Sequence, residues 1–87
     1  LDMGLINEVA PTDRLEETVM KLAGTLSQSA TRAIGMTKVF LHKVWQMDLQ
    51  EALAYEAKMQ GELVKTEDHQ QAAKAFLNKT KPSFRGR

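Results

Sequence analysis

The 87-residue sequence contains no cysteine, only two prolines and few aromatic residues, which make up 6% of the chain. Without cysteine the chain can form no disulfide, no thiol nucleophile and no Cys-based zinc site. No apolar run approaches the roughly 20 residues of a membrane-spanning helix, and no signal-peptide pattern opens the sequence. A chain of this length forms one domain at most, with a modest core.

Acidic residues are also missing from the last nineteen positions, His69 to Arg87, which carry five bases: Lys74, Lys79, Lys81, Arg85 and Arg87. The preceding 68 residues carry seven bases and eleven acids, so the net charge of +1 combines a basic end with an acidic body. A basic end of this kind is suited to hold an anionic ligand or an acidic partner surface.

The first eleven residues differ in character from the rest. Leu1 to Met3 has the pattern of a helix end, with Gly4 as the left-handed residue after it. Leu5 to Val9 is partly β-branched and is stopped by Pro11, which predicts a strand. No other segment predicts a partner strand, so we expect this one to be irregular here or to pair with another copy. Because the chain also opens without Met, we interpret residues 1–11 as the end of the core domain of a larger protein.

Residues 12–87 predict four α-helices with short breaks, so the expected fold of this chain is all-α. Asp13 and Asp48 each precede a glutamate by three residues, which is the spacing of a capping box. We therefore expect them to start the first and third helices, the latter running to about Lys65.

The other two helices have weaker start signals. Ser29 is expected to cap the second helix, which runs to about Gln46. The fourth helix is expected to start near Asp68 and to reach about Lys79, because Pro82 cannot continue it and the residues after it form an extended tail.

The second helix is apolar on two sides. Apolar or small side chains line one face and widen it: Ala33, Ile34, Met36, Thr37, Val39, Phe40, Leu41, Val44, Trp45 and Met47. A helix of this kind is usually covered on two sides. The surface around Trp45 is therefore a candidate docking patch for a core domain or a sister subunit.

Four segments occur in an order that is typical of one known family. They are GLINEVAP (Gly4–Pro11), SATRAIGMTK (Ser29–Lys38), DLQEALAYE (Asp48–Glu56) and TEDHQQAAKAFLNKTKPSF (Thr66–Phe84). Together they resemble the C-terminal segment of the enoyl-CoA hydratase/isomerase (crotonase) family. The likeness covers nearly the whole chain, and its most specific part is the closing AFLNKTKPSF.

The resemblance implies a crotonase-like α/β protein, with a core built as a spiral of ββα units and residues 12–87 as a helical oligomerisation segment. Its substrates would be acyl-CoA thioesters, with coenzyme A as part of the substrate and no separate cofactor. The backbone N–H groups that polarise the thioester carbonyl and the catalytic glutamates would lie outside this chain. We therefore assign no catalytic or metal-binding residue here, and we expect the chain alone to be inactive.

The same resemblance places a contact with coenzyme A on the fourth helix. A Phe and a Lys three residues later, which touch the adenine and phosphate region in the family, match Phe76 and Lys79. The base that usually follows that lysine is Thr80 here, so Lys81 is the nearest substitute. The helices would also join subunits into a trimer or hexamer. The sequence leaves the localisation open, and both the cytoplasm and an organelle matrix are compatible with it.

Plainer interpretations of these residues stay open. Phe76 also fits a core or interface residue, and Lys79 and Lys81 fit solvated bases near a helix C-terminus. Glu56, within the apolar stripe of the third helix, predicts a buried carboxylate with a partner. Arg85 fits a plain tail residue, as does Arg87 beside it.

Two other functions are weighed against the leading one. The chain can be read as an autonomous helical interaction module that docks through its wide apolar helix. Nucleic-acid binding ranks last, because the basic tail is short, aromatic residues are few and the body is acidic. His42 and His69 have no metal-ligand spacing and are expected at the surface or at a helix cap.

Overall fold

A computed structural model describes all residues, 1–87, and contains four α-helices and no β-strand. The helices are α1 (Leu15–Ser27), α2 (Thr31–Lys43), α3 (Leu49–Leu63) and α4 (Glu67–Leu77). Short 3-10 segments precede α1 (Thr12–Arg14) and follow α2 (Val44–Gln46). The predicted all-α chain of four helices is confirmed. None of these helices combines the length and the apolar character that crossing a bilayer requires.

Asp48 caps a helix, whereas Asp13 does not. The Glu51 N–H donates to Asp48 Oδ1 at 2.8 Å, and the Asp48 N–H donates to Glu51 Oε2 at 3.1 Å, which completes a capping box at the start of α3. Asp13 lies inside the first 3-10 segment, which leaves Arg14 at the N-cap of α1 without a side-chain hydrogen bond. The predicted cap is confirmed for α3 and wrong for α1.

Ser29 and Asp68 do not cap the helices that their positions predicted. The Ser29 hydroxyl donates to the Thr25 carbonyl at 2.8 Å, so it closes the end of α1 instead of starting α2. At α4 the cap is Thr66, whose Oγ1 accepts from the His69 N–H at 3.2 Å. Asp68 lies in the first turn of α4, where its carboxylate is free for another contact.

Residues 1–11 have no regular secondary structure. Gly4 has a φ of +73°, and its N–H donates to the Leu1 carbonyl at 2.8 Å, so a tight turn stands where the sequence suggests a helix end. Leu5 to Val9 is irregular, as expected for a strand-like segment that has no partner in the chain. Its assignment to a core domain stays a prediction.

An aromatic pair joins α2 to α3. The rings of Phe40 and Tyr55 stack with their centroids 5.9 Å apart and their planes inclined by 11°. Lys43 Nζ lies 5.2 Å from the centroid of the Tyr55 ring and donates to Tyr55 Oη at 3.3 Å. Such aromatic contacts contribute about 0.5–1.5 kcal/mol beyond the area they bury, so this pair helps to hold the two helices together.

The chain has almost no interior of its own. Only Thr66, Asp68 and Ala75 are buried, while nineteen large hydrophobic side chains are exposed. The accessible surface of 7775 Å² exceeds by about 2,600 Å² the roughly 5,200 Å² of a compact 9.8 kDa protein. The radius of gyration is 16.5 Å, against about 12 Å for a compact domain of this length. The helices therefore form an open array of 43 × 39 × 19 Å, with apolar faces that nothing in the chain covers.

Candidate ligand-binding site

The chain reverses direction after α4 through a Schellman motif. The Thr80 N–H donates to the Ala75 carbonyl at 2.9 Å, and the Lys79 N–H donates to the Phe76 carbonyl at 3.1 Å. Lys79 has a φ of 53° and is the only non-glycine residue with positive φ. Glycine or asparagine usually occupies this left-handed position, because a side chain there costs about 1–2 kcal/mol.

Phe76 and Lys79 both face solvent at this turn. Phe76, in the last turn of α4, is 84% exposed, so it is not a core residue of this chain. Lys79 is exposed and lies one residue beyond the helix C-cap, Asn78. Their spacing suggests a shared helical face, but the helix ends too early for that. Instead, the backbone hydrogen bond of the turn keeps the two residues together.

The bases of this turn have no acidic partner. The two ion pairs of the chain involve Arg14 and Arg87, so no carboxylate lies within 4.0 Å of the ammonium groups of Lys79 or Lys81. The C-terminal end of a helix carries a partial negative charge, which favours bases at this place. The turn therefore carries an exposed aromatic ring and two positive charges that no carboxylate neutralises.

Residues 80–87, here called the strap, run back along α4 to its N-terminal end. Asp68 holds the strap there, since its Oδ1 accepts from the Arg85 N–H at 2.7 Å and its Oδ2 accepts from the Gly86 N–H at 2.8 Å. The Asp68 N–H in turn donates to the Arg87 carbonyl at 2.9 Å. Asp68 is only 4% exposed, so its carboxylate is largely shielded from water.

The basic tail is therefore divided between the two ends of α4. Lys79 and Lys81 stay near the C-terminal end, while Arg85 and Arg87 lie at the N-terminal end. A helix of 11 residues separates these ends by about 16 Å. Arg85 and Arg87 lie in the tail with exposed side chains, but their backbones are bound to Asp68, which the sequence did not predict.

Asp68 is the residue that the sequence analysis missed, because its place next to a helix start suggests a cap. The partner segment contains Gly86, which adopts a φ of +76°. Consecutive N–H groups beside such a residue can converge on one anion, as they do in a backbone nest. Here the anion is the carboxylate of Asp68 itself.

Lys81 also borders a surface groove between the strap and the connection from α1 to α2. The groove has a volume of about 630 Å³, and its walls are mostly polar: Thr25, Ser27, Gln28, Ser29, Lys81, Pro82, Ser83 and Phe84. Lys81 contributes the only charge to this lining, so the groove continues the positive surface of the turn.

The remaining sequence candidates are spread over the surface. No group of three or more His, Asp or Glu side chains lies close enough to hold a metal ion. His42 and His69 are both exposed. Glu56 is exposed and forms no ion pair, so the prediction of a buried, paired carboxylate is wrong. The reason is that no helix of this chain covers its side of α3.

All 87 residues match the sequence profile of the enoyl-CoA hydratase/isomerase family. The chain is 33% identical over 81 residues to a short-chain-enoyl-CoA hydratase of Clostridium acetobutylicum, with 93% of this chain and 31% of that protein covered. It is 33% identical over 84 residues to a 2,3-dehydroadipyl-CoA hydratase of Escherichia coli, with 97% and 33% covered. The crystal structure of an enoyl-CoA hydratase from Geobacillus kaustophilus superposes with a TM-score of 0.91 at 33% identity, over 100% of this chain and 33% of that one.

These findings show that the chain belongs to the enoyl-CoA hydratase/isomerase family. The family predicted from the sequence motifs is confirmed. The chain spans about a third of the length of the relatives that it matches. Its helices have the arrangement found in the matching part of a crotonase-fold protein, which also confirms the predicted fold.

Proposed function

We propose that this chain belongs to an enzyme that acts on acyl-CoA thioesters, as a hydratase or an isomerase, and that it covers the coenzyme A moiety and joins subunits. Lys79 is the observation that carries the proposal. It is an exposed base in a backbone conformation that glycine prefers, beside the exposed Phe76 and without a carboxylate partner. Backbone strain of this kind is concentrated at binding sites, where it fixes the position of a functional side chain.

The chemistry of the turn suits the nucleotide end of coenzyme A. An exposed phenylalanine ring such as that of Phe76 can stack on an adenine base. The ammonium group of Lys79 can pair with a phosphate through charge-assisted hydrogen bonds. Lys81 supplies a second positive charge two residues further on. It would substitute for the base that the family usually has at the position of Thr80. Coenzyme A is thus proposed as part of the substrate, with no separate cofactor.

The open apolar faces support a role in assembly. Trp45 is 88% exposed, and the surplus of about 2,600 Å² over a compact protein exceeds the roughly 800 Å² that one partner contributes to a standard protein interface. Such a surface is suited to both a core domain and a neighbouring subunit. We propose that residues 1–11 join the core domain, and that residues 12–87 contact sister subunits in a trimer or hexamer.

An autonomous helical interaction module is the second candidate. The exposed apolar surface around Trp45 favours it, since such patches mark protein-binding sites. The near absence of buried residues weighs against it, because an independent domain needs a core of its own. We rank it below the enzyme segment for that reason.

Replacing Lys79 with alanine in the natural protein that carries this chain tests the proposed site. Lys79→Ala is expected to raise KM for the acyl-CoA substrate up to about fivefold with little change in kcat, which is the size of one exposed charged contact. Lys74→Ala is the matched control, since it removes the same charge from the exposed surface of α4 and is expected to leave KM unchanged. An unchanged KM in Lys79→Ala would remove the residue from the site.

A further inference from the structure

We propose that Asp68 is a positioning residue for acyl-CoA binding: it holds the strap against α4 and thereby fixes where Lys81 lies relative to Lys79 in the turn. The inference rests on the proposed function and extends it to a residue that touches no ligand. It assigns a purpose to a buried carboxylate that the chemistry of the turn does not otherwise use.

Hydrogen bonds hold the strap at its two ends only. At one end the Thr80 N–H donates to the Ala75 carbonyl at 2.9 Å. At the other end Asp68 accepts from Arg85 and Gly86 at 2.7 and 2.8 Å. Residues 81–84 between these ends form no hydrogen bond with the rest of the chain. The path of this stretch, and of Lys81 within it, therefore depends on the two attachments and on the packing of the half-buried Pro82 and Phe84.

The burial pattern shows that the strap is held in one register. Pro82, Phe84 and Gly86 are half-buried, whereas Lys81, Ser83, Arg85 and Arg87 are exposed. This alternation is that of an extended segment with one face against the protein. A shift by one residue exchanges the two faces and turns Lys81 inward. By binding two consecutive N–H groups, Asp68 selects the register that keeps the bases outside.

Asp68 holds the strap more strongly than the neighbouring Glu67 does. Both oxygens of Asp68 accept hydrogen bonds from backbone N–H groups in a nearly buried place, and such charge-assisted bonds are about twice as strong as neutral ones. Glu67 Oε2 lies 3.0 Å from Arg87 Nε, but both side chains are about 60% exposed, so this ion pair contributes little. Replacing each of these adjacent acids in turn therefore compares the loss of a strong attachment of the strap with the loss of a weak one.

The test uses two variants that release the strap from opposite sides. Asp68→Ala removes the acceptor. Gly86→Ala disturbs the strap itself, because its φ is +76° and the added Cβ would lie 2.7 Å from Thr31 Oγ1. Glu67→Ala is the control, since it deletes an adjacent carboxylate but leaves the strap's backbone hydrogen bonds in place. Each is made in the natural protein that carries this chain, and is assayed by amide hydrogen exchange at residues 85 and 86 and by steady-state kinetics.

Both strap variants are expected to speed exchange of these amides about tenfold or more, because each loses hydrogen bonds to a charged group. They are also expected to raise KM up to about fivefold at constant kcat, which approaches the effect of removing Lys79. Glu67→Ala is expected to change neither quantity. If Asp68→Ala fails to fold, the proposal is tested by Gly86→Ala alone, since this substitution leaves α4 intact.

The outcomes separate this inference from the proposed function. Faster exchange with an unchanged KM, while Lys79→Ala still raises KM, would overturn the positioning role and leave the binding site standing. Unchanged exchange in both strap variants would show that Asp68 does not hold the strap. An unchanged KM in Lys79→Ala would instead overturn the proposed function itself.

Discussion

Lys79 occupies the left-handed position of the turn that ends α4, with a φ of 53°. In this conformation a Cβ lies close to a backbone oxygen, and glycine avoids that contact because it has no Cβ. A lysine here lowers the stability of the turn but places an ammonium group at its tip. This combination of local strain with an unneutralised charge is the reason why we propose a ligand contact for Lys79 and do not treat it as one solvated base among several.

Replacing Lys79 with glycine separates the strain from the charge. Lys79→Gly is expected to raise the free energy of unfolding by about 0.5–1 kcal/mol, because it removes the 1–2 kcal/mol of strain but makes the unfolded chain more flexible. Lys79→Ala keeps the strain and is expected to leave stability nearly unchanged. Urea titration of the natural protein measures both values. Equal stability of the two variants would show that the left-handed turn is not maintained in solution.

The starts of α1 and α3 show how one sequence pattern gives two local structures. Asp13 and Asp48 both precede a glutamate by three residues, yet only Asp48 binds the backbone of the following helix. Asp48→Ala is therefore expected to lower the free energy of unfolding by about 1 kcal/mol, the usual contribution of an N-cap. Asp13→Ala is the matched control and is expected to have little effect. Thermal denaturation distinguishes the two, and equal losses would contradict the capping geometry.

The helices themselves were predictable from the sequence, because apolar periodicity and turn residues act over a few positions. The motif that contains Phe76 and Lys79 was likewise recognisable. The strap was not, since Asp68 contacts residues that lie 17 and 18 positions later in the chain, and no local pattern encodes that distance. The exposure of Glu56 was missed for a related reason: a residue on an apolar stripe is buried only if another element covers it.

On the scale of the whole molecule, the apolar stripes of the helices predict a buried core that the chain does not have. The helices have well-formed apolar stripes, but nineteen large hydrophobic side chains remain exposed and only three residues are buried. An array with so small an interior cannot offset the conformational entropy lost on folding. The proposed packing against a core domain and sister subunits would explain this disagreement, and the chain spans only about a third of the length of its relatives.

The isolated chain is therefore expected to fold poorly and to self-associate. Its thermal and urea transitions should be broad, because little surface is buried and cooperative unfolding requires a shared core. Trp45 is the only tryptophan and is 88% exposed, so its fluorescence should shift to shorter wavelength as protein concentration rises and copies cover it.

Leu49→Lys is expected to weaken association measured by sedimentation, because it replaces an exposed apolar side chain with a charged one. Gln50→Lys adds the same charge at a polar position and should not. A sharp melt of a monomer, with Trp45 emission independent of concentration, would instead favour an autonomous helical module, because it would show that these helices need no other surface.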